Sequence, residues 1–351
     1  MDRRPPGARA CGTLRQVDVI QALAGLAPRL AAQAATQRGV FTGDQARAAG
    51  YSDSEIQRLR RVKRPTEQWW SIRRGVYVVK QWYDGLPDVD QHQVQLAALT
   101  LVLVEPAVHS HVSAAVELGL EMLDPDMREL HVTRAELKGS RHEAGVHHHA
   151  ADLPESDVLR QPDRPSVTTA ARTAVDIARG SLRLEQAVAV CDSALRDGVT
   201  PEELTEVMTR CRSWPGARLA SRAVSMADGR SDNPGESWSR VVLVANGQAP
   251  TDLQHAIYDD QGLIGYSDYF WEEEMVVGEF DGKLKYAVAP GATPEEVSRA
   301  IIAEKIREDR IRARGHEFVR WGVGDLYRPV QLAARVAAAR QRGAERLRRA
   351  G

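Results

Sequence analysis

The stretch that decides the reading is Gly278-Glu279-Phe280-Asp281-Gly282-Lys283-Leu284-Lys285-Tyr286, which follows the apolar run Met275-Val276-Val277. Its polar residues recur at every second position, the pattern of a β-strand. Strand side chains alternate between faces, so Glu279, Asp281, Lys283 and Lys285 are expected on one side. Two carboxylates followed by two ammonium groups suit the holding of a divalent cation against a phosphate. Solubility alone does not call for such a face.

Upstream, Asn233-Pro234-Gly235-Glu236-Ser237-Trp238 reads as a helix start, with Asn233 as the cap, Pro234 at the first helical position and an apolar stripe of Trp238, Val241, Val242 and Ala245. Strands are expected at 252–258, 263–270 and 275–286, then a charged helix over 294–314, a strand at 316–321 and a closing Ala/Arg-rich helix. A turn at 271–274 would pair Phe270 with Met275 and Asp268 with Val277. Asp268 and Glu279 would then be diagonal neighbours, roughly 7 Å apart between backbones. Both carboxylates could reach one Mg²⁺ or Mn²⁺. That ion would lower the pKa of a bound water and offset charge on a scissile phosphate. Lys283 or Lys285 could orient the nucleophile, and Glu236 could reach the metal through water. Glu236 has an alternative role as a carboxylate that satisfies the helix start. Glu304, Lys305, Glu308 and Arg312 read as a surface ion-pair ladder.

Six blocks in order carry a resemblance: Pro234-Gly235-Glu236-Ser237, Asp268-Tyr269-Phe270, the 278–286 strand, Glu304-Lys305-Ile306-Arg307-Glu308-Asp309, Gly315-His316-Glu317-Phe318-Val319-Arg320-Trp321 and Asp325-Leu326. Together they resemble the nuclease-like domain related to very-short-patch-repair endonucleases, in the PD-(D/E)XK superfamily. The resemblance implies a restriction-endonuclease-like α/β core with Asp268 and Glu279 as metal ligands. Asp281 stands where the superfamily has its lysine, and the lysines come two and four positions later.

At the other end, Thr42 and Ser52 each cap a short helix, Ser52 with Glu55 in a capping-box pattern. The second helix and its exit carry Arg58, Arg60, Arg61, Lys63 and Arg64. A tight hairpin over 69–79 follows, with Arg73 and Arg74 at its tip. Helix, turn, basic helix and basic hairpin is the order of a winged helix-turn-helix, whose second helix enters the major groove while the hairpin rides the phosphates. Gly39-Val40-Phe41-Thr42, Gln45-Ala46, Gly50-Tyr51-Ser52 and Arg74-Gly75-Val76-Tyr77 resemble the N-terminal domain of AbiEi-type antitoxins. Ser110-His111, Ala114-Ala115, Leu118-Gly119-Leu120 and Thr173-Ala174-Val175-Asp176 resemble the central region of the same family more loosely, which implies a structural or partner-binding role.

Between these ends, residues 88–212 read as mixed α/β, with helices near 89–104, 109–119, 170–179, 184–196 and 200–209 and short strands at 130–133, 146–149 and 166–169. His147-His148-His149 sits on one of those strands. His147 and His149 would share a face, but no Cys, Asp or Glu stands at ligand spacing beside them, so a structural or solvent-facing role is expected. Residues 214–232, rich in Gly, Pro, Ser and Arg, read as partly a linker.

The net charge of −1 hides an asymmetry: residues 1–80 hold 15 Lys/Arg against 6 Asp/Glu, and residues 251–282 hold nine acids and no Lys or Arg. One end suits a polyanion and the other suits cations. Cys11, Cys191 and Cys211 lie far apart, which argues against a disulfide framework and for a reducing compartment. No secretory signal or membrane span is expected, so the expected location is cytoplasmic. The expectation is an α+β multidomain chain: a winged helix over 13–83, an antitoxin-like α/β domain over 88–212 and a restriction-endonuclease-like domain over 230–351. Its expected function is a double-stranded-DNA-binding protein with a Mg²⁺-dependent endonuclease, in phage defence or a toxin–antitoxin setting with a cognate toxin. The alternative is a non-enzymatic repressor whose nuclease-like domain is inactive and serves as a partner surface. A nuclease acting on RNA is a third possibility.

Overall fold

The computed structural model describes residues 19–20, 22–64, 67–103, 107–160, 165–282 and 293–350. Lys283, Leu284, Lys285 and Tyr286 lie outside the described residues. The fold is mixed α+β with three sheets among the described residues. These residues divide into two compact units, one holding 19–120 and 124–177, the other 121–123 and 178–350. The expected segment 88–212 is therefore shared between the two. No described helix is long and apolar enough to cross a membrane.

In the first unit, Pro28 opens α1 (Pro28–Thr36), where its missing N–H is one the first turn leaves open anyway. There follow β1 (Phe41–Thr42), α2 (Gly43–Ala48), α3 (Asp53–Arg61), β2 (Trp69–Arg73) and β3 (Val76–Val79). The strands form a small sheet in the order β1-β3-β2. Both capping boxes form: Thr42 with Gln45, and Ser52 with Glu55. These reciprocal bonds satisfy amide donors that the first helical turn leaves open. Ile56 of α3 is buried with Phe41, Trp69 and Tyr77, and the Phe41 and Trp69 rings meet edge-on at 4.7 Å.

The chain continues through α4 (Lys80–Asp84), α5 (Asp88–Thr100), β4 (Val108–His109), α6 (His111–Leu118), β5 (Leu130–Arg134), β6 (Arg141–Glu143), β7 (Val146–Ala150), β8 (Val158–Leu159), β9 (Val167–Thr168) and α7 (Ala170–Gly180). The six strands order as β6-β7-β5-β4-β9-β8, with β5 and β7 parallel. Strands β4, β6 and β8 were not expected, because they are too short to show a period, and the helix expected from His109 begins at His111. On α7, Arg172 is buried between two carboxylates, Asp157 at 2.9 Å and Asp176 at 2.7 Å, and also donates to the Asp152 carbonyl.

The second unit begins with α8 (Leu184–Arg196) and α9 (Pro201–Arg210). Residues 217–226, expected within a linker, instead form α10 (Ala217–Met226), whose Ala220 and Ala223 are buried. The helix lacks a side-chain cap at its start, so its composition resembles a loop. Then come α11 (Pro234–Ala245), β10 (Asp252–Asp259), β11 (Gly262–Trp271), β12 (Val276–Asp281), α12 (Pro294–Ala313), β13 (Glu317–Gly322), α13 (Val323–Leu326) and α14 (Pro329–Ala350). The sheet runs β10-β11-β12-β13, antiparallel except for the parallel pair β12–β13. One face packs Tyr269, Trp271, Phe280 and Trp321 against α11 and α14; the other packs Phe270, Val277 and Phe318 against Ile311 of α12. Close approach explains Gly235: a Cβ there would lie 2.2 Å from the Phe280 ring.

The expected turn is displaced by one residue. Phe270 pairs with Val277 and Tyr269 with Gly278, so the turn is Glu272–Met275 and not 271–274. Met275 takes a positive φ of 53°, which closes the turn. The pairing is thus offset by two residues from the one expected, and an even offset keeps every side chain on its face.

Removing Arg172 would leave Asp157 and Asp176 buried without their shared cation. Arg172→Ala is expected to cost about 3–5 kcal/mol, read as a lower urea midpoint. A midpoint within error of the parent would show the triad contributes nothing.

Candidate functional site

Strand β12 places its alternate residues in two very different surroundings. Gly278 and Phe280 face the aromatic layer, and Glu279 faces α12. Continued by one residue, the β11–β12 register sets Asp268 opposite Glu279 on adjacent strands, closer than the diagonal placement expected. The backbone ladder gives way there to a side chain: Asp268 Oδ2 accepts the Phe280 N–H at 2.8 Å. Both carboxylates are buried, Asp268 at 8% and Glu279 at 4% exposure.

A buried carboxylate must be compensated, and two arginines do this for Glu279. Arg320 sits beside it on β13, where the parallel register pairs Glu279 with Arg320, and its Nη2 lies 2.9 Å from Glu279 Oε2. Arg307 of α12 bonds the other oxygen, Oε1. Glu304, one turn earlier on α12, accepts from both guanidiniums, at 2.8 Å from Arg307 and 2.6 Å from Arg320. Glu308 and Arg312 extend the set at 2.8 Å. Three glutamates and three arginines thus balance. The expected surface ladder holds for Glu308–Arg312, but Glu304 is part of the Glu279 cluster. Burial alone would raise the Glu304 carboxyl; hydrogen bonds and charge from Arg307 and Arg320 outweigh it and hold the group below the usual range.

Glu236 stands in the first turn of α11, the helix packed on the aromatic face. Its carboxylate accepts from the Asp232 N–H at 2.7 Å, the Asn233 side chain at 2.6 Å and Gln254 at 3.1 Å. These bonds fit the helix-start role weighed for it. Asp281 closes β12 and is half-buried. Among the described residues, three or more His, Cys or carboxylate ligand atoms within 4.8 Å of one another occur at two places, and neither includes Asp268, Glu279, Asp281 or Glu236.

The expected DNA-contacting cations divide into two kinds. Arg58, Arg60, Arg61, Lys63, Arg64 and Arg74 are exposed. Arg60 lies over the Tyr77 ring at 5.7 Å, and Arg64 pairs with Glu67 at 3.4 Å. Among the described residues, Arg58, Arg61, Lys63 and Arg74 form no salt bridge. Arg73 differs from its neighbours: it is half-buried, donates to the Ala144 carbonyl at 3.3 Å, and has its basicity lowered by burial. It packs inward from the hairpin and is not part of the free cationic tip.

The six-stranded sheet gathers residues that no local spacing linked. His142 pairs with His147 across β6–β7, and His131 with His147 across β5–β7, so three histidines lie in one row. His149 stands two residues along the same face, and His111 stacks on it at 3.7 Å. His131, His142, His111 and Glu129 were missed because their proximity depends on strand register. His148 points to the opposite face and is buried, with the other two on the near side as the alternation requires.

No family model matches the chain. Two uncharacterized proteins, from two strains of Mycobacterium tuberculosis, are each 31% identical to it over 186 residues, which is 52% of this chain and 64% of the relative. The chain spans less than two thirds of the length of those relatives.

A depressed carboxyl contributes stability that is complete above the ordinary glutamate range and is lost as pH falls through the folded value. Acid titration of unfolding is therefore expected to show a stability loss that shrinks in Glu304→Gln. Identical pH profiles for parent and variant would exclude Glu304 as a source of that loss.

Proposed function

We propose that this chain is a DNA-binding protein of the antitoxin or repressor type, its N-terminal elements acting as a winged helix and its nuclease-like sheet serving as a structural or partner-binding domain. The observation that carries the reading is the row of exposed cations on α3 and its exit, Arg58, Arg61 and Lys63, none of them neutralised by a salt bridge among the described residues. Uncompensated cations at the end of a capped helix, followed by a hairpin tipped with Arg74, suit a phosphate backbone. The resemblance to AbiEi-type antitoxins supports the same reading and suggests the chain's own promoter as the DNA and a cognate toxin as a partner.

The fit of Mg²⁺ to the nuclease-like sheet bears on the choice between this reading and a catalytic one. Glu279 offers both oxygens to guanidiniums, and one oxygen of Asp268 caps a backbone amide. A Mg²⁺ there would have to displace Arg307 or Arg320 from a buried carboxylate and leave a guanidinium half-buried beside the ion. The donor set as arranged does not fit the metal. A second reading keeps the domain as a nuclease, favoured by one observation: Asp268 and Glu279 do stand across from each other on adjacent strands.

Two measurements separate these readings. Affinity for promoter DNA, read by fluorescence anisotropy over a salt series, is expected to fall in Arg58→Ala/Arg61→Ala. The log–log salt slope should become shallower by about 0.9 for each phosphate that is no longer neutralised. Unchanged affinity and slope would remove α3 from the interface. Plasmid incubated with protein and Mg²⁺ or Mn²⁺ is expected to stay intact; nicking that EDTA and Glu279→Ala both abolish would establish the nuclease instead.

A further inference from the structure

The histidine face of the six-stranded sheet is a built cluster that the DNA-binding reading does not use. We propose that His111, His131 and His149 form a binding site for a divalent transition-metal ion of the Zn²⁺ class. Their ligand nitrogens all lie within 4.8 Å of one another, and His131 Nδ1 is 2.9 Å from His149 Nε2. Zinc at about 2.0–2.1 Å from each imidazole nitrogen asks for nitrogens about 3.3 Å apart, within the span these three cover. Three histidines leave a fourth position for water or another ligand.

Two further observations support the assignment. First, the ligands come from three separate segments held in place by backbone bonds. Ser113 Oγ accepts from the His131 N–H at 2.8 Å, and the Ser110 N–H donates to the His131 carbonyl at 3.1 Å. The connection bearing His111 is thereby fixed over His131, and Ser110 Oγ lies 3.0 Å from His111 Nδ1, orienting that ring. Such outer contacts are how proteins aim metal-binding imidazoles. Second, His111 has a φ of 51°, a left-handed conformation that costs a non-glycine residue free energy and that places its ring on His149.

Ring stacking alone would not explain why a strained residue and the Ser110 hydroxyl hold the His111 ring beside the nitrogens of His131 and His149. Borderline metals prefer imidazole over the carboxylate and water ligands of Mg²⁺, so the site selects for Zn²⁺, Co²⁺, Ni²⁺ or Cu²⁺. Beside it, Glu129, His142 and His147 form a second, more exposed group, with His142 Nδ1 3.0 Å from Glu129 Oε2.

The test uses the full chain without a histidine tag. Co²⁺ is titrated and followed by its visible ligand-field bands, then displaced with Zn²⁺. The expected result is one tight equivalent, weakened at least about tenfold in His149→Gln and in His111→Gln, since loss even of an outer partner costs that much. His148→Gln, on the opposite face, is expected to bind as the parent does. Circular dichroism checks that each variant is folded, and His111→Gln keeps the test open should His149→Gln misfold. Absence of stoichiometric binding overturns the proposal. So does binding that survives in both variants, or binding lost only in His142→Gln, which would place the ion on the neighbouring group.

Discussion

The second unit is organised around one constraint: a carboxylate in the interior of a sheet must be compensated where it stands. Glu279 lies on β12, a strand flanked on both sides by partners and covered on both faces. Water cannot solvate it, so the protein supplies Arg320 from the neighbouring strand and Arg307 from the covering helix. That requirement fixes more than one side chain. It sets the rotation of α12 about its axis, because Arg307 and Glu304 must both face the sheet, and it favours the β12–β13 register that brings Arg320 beside Glu279. On the other face, Gly278 and Phe280 meet Trp271, Trp321 and the start of α11 with no room to spare. A slip of one residue would put a charge among the tryptophans and an aromatic ring between two arginines.

The same rule recurs away from this sheet. Asp192 on α8 is fully buried and takes both oxygens to Arg240 of α11, at 2.8 and 2.7 Å, which ties two helices of the unit together. Arg172 does the corresponding work between α7 and Asp157. Such pairs are weak grounds for net stability, since desolvation takes back much of the Coulomb gain. They are strong grounds for geometry, because a wrong helix position would strand a charge.

Much of this was legible from local chemistry. The caps at Thr42, Ser52 and Asn233, the start of α11 at Pro234 and the alternation of β12 all rest on residues within a few positions of each other. Helix α10 was not, because Gly216 starts it without a side-chain cap and its composition resembles a loop. Strand β6 was too short to show a period. The surroundings of Glu279 were not legible either: Arg307 and Arg320 stand 28 and 41 residues further along. The carboxylate therefore read as available when it is spoken for. Likewise, the triple histidine had no ligand-spaced partner in sequence because its partners arrive through the parallel pairing of β5 with β7.

Compensation gives a physical way to tell working charges from structural ones in this molecule. Glu279, Asp192 and Arg172 have every reason to be where they are without a ligand, since each is matched by a partner that burial demands. Arg58 and Arg61 of α3 and Lys63 at its exit form no salt bridge among the described residues and stand exposed in water. The histidine face is a third case. Imidazole nitrogens are gathered there with no carboxylate among the three, His131 Nδ1 lying 2.9 Å from His149 Nε2. Lone pairs gathered in this way and held by strain at His111 are satisfied by a cation that imidazole prefers. The cation suited to that face is a borderline divalent ion and not the hard Mg²⁺ that the carboxylates of β11 and β12 first suggested.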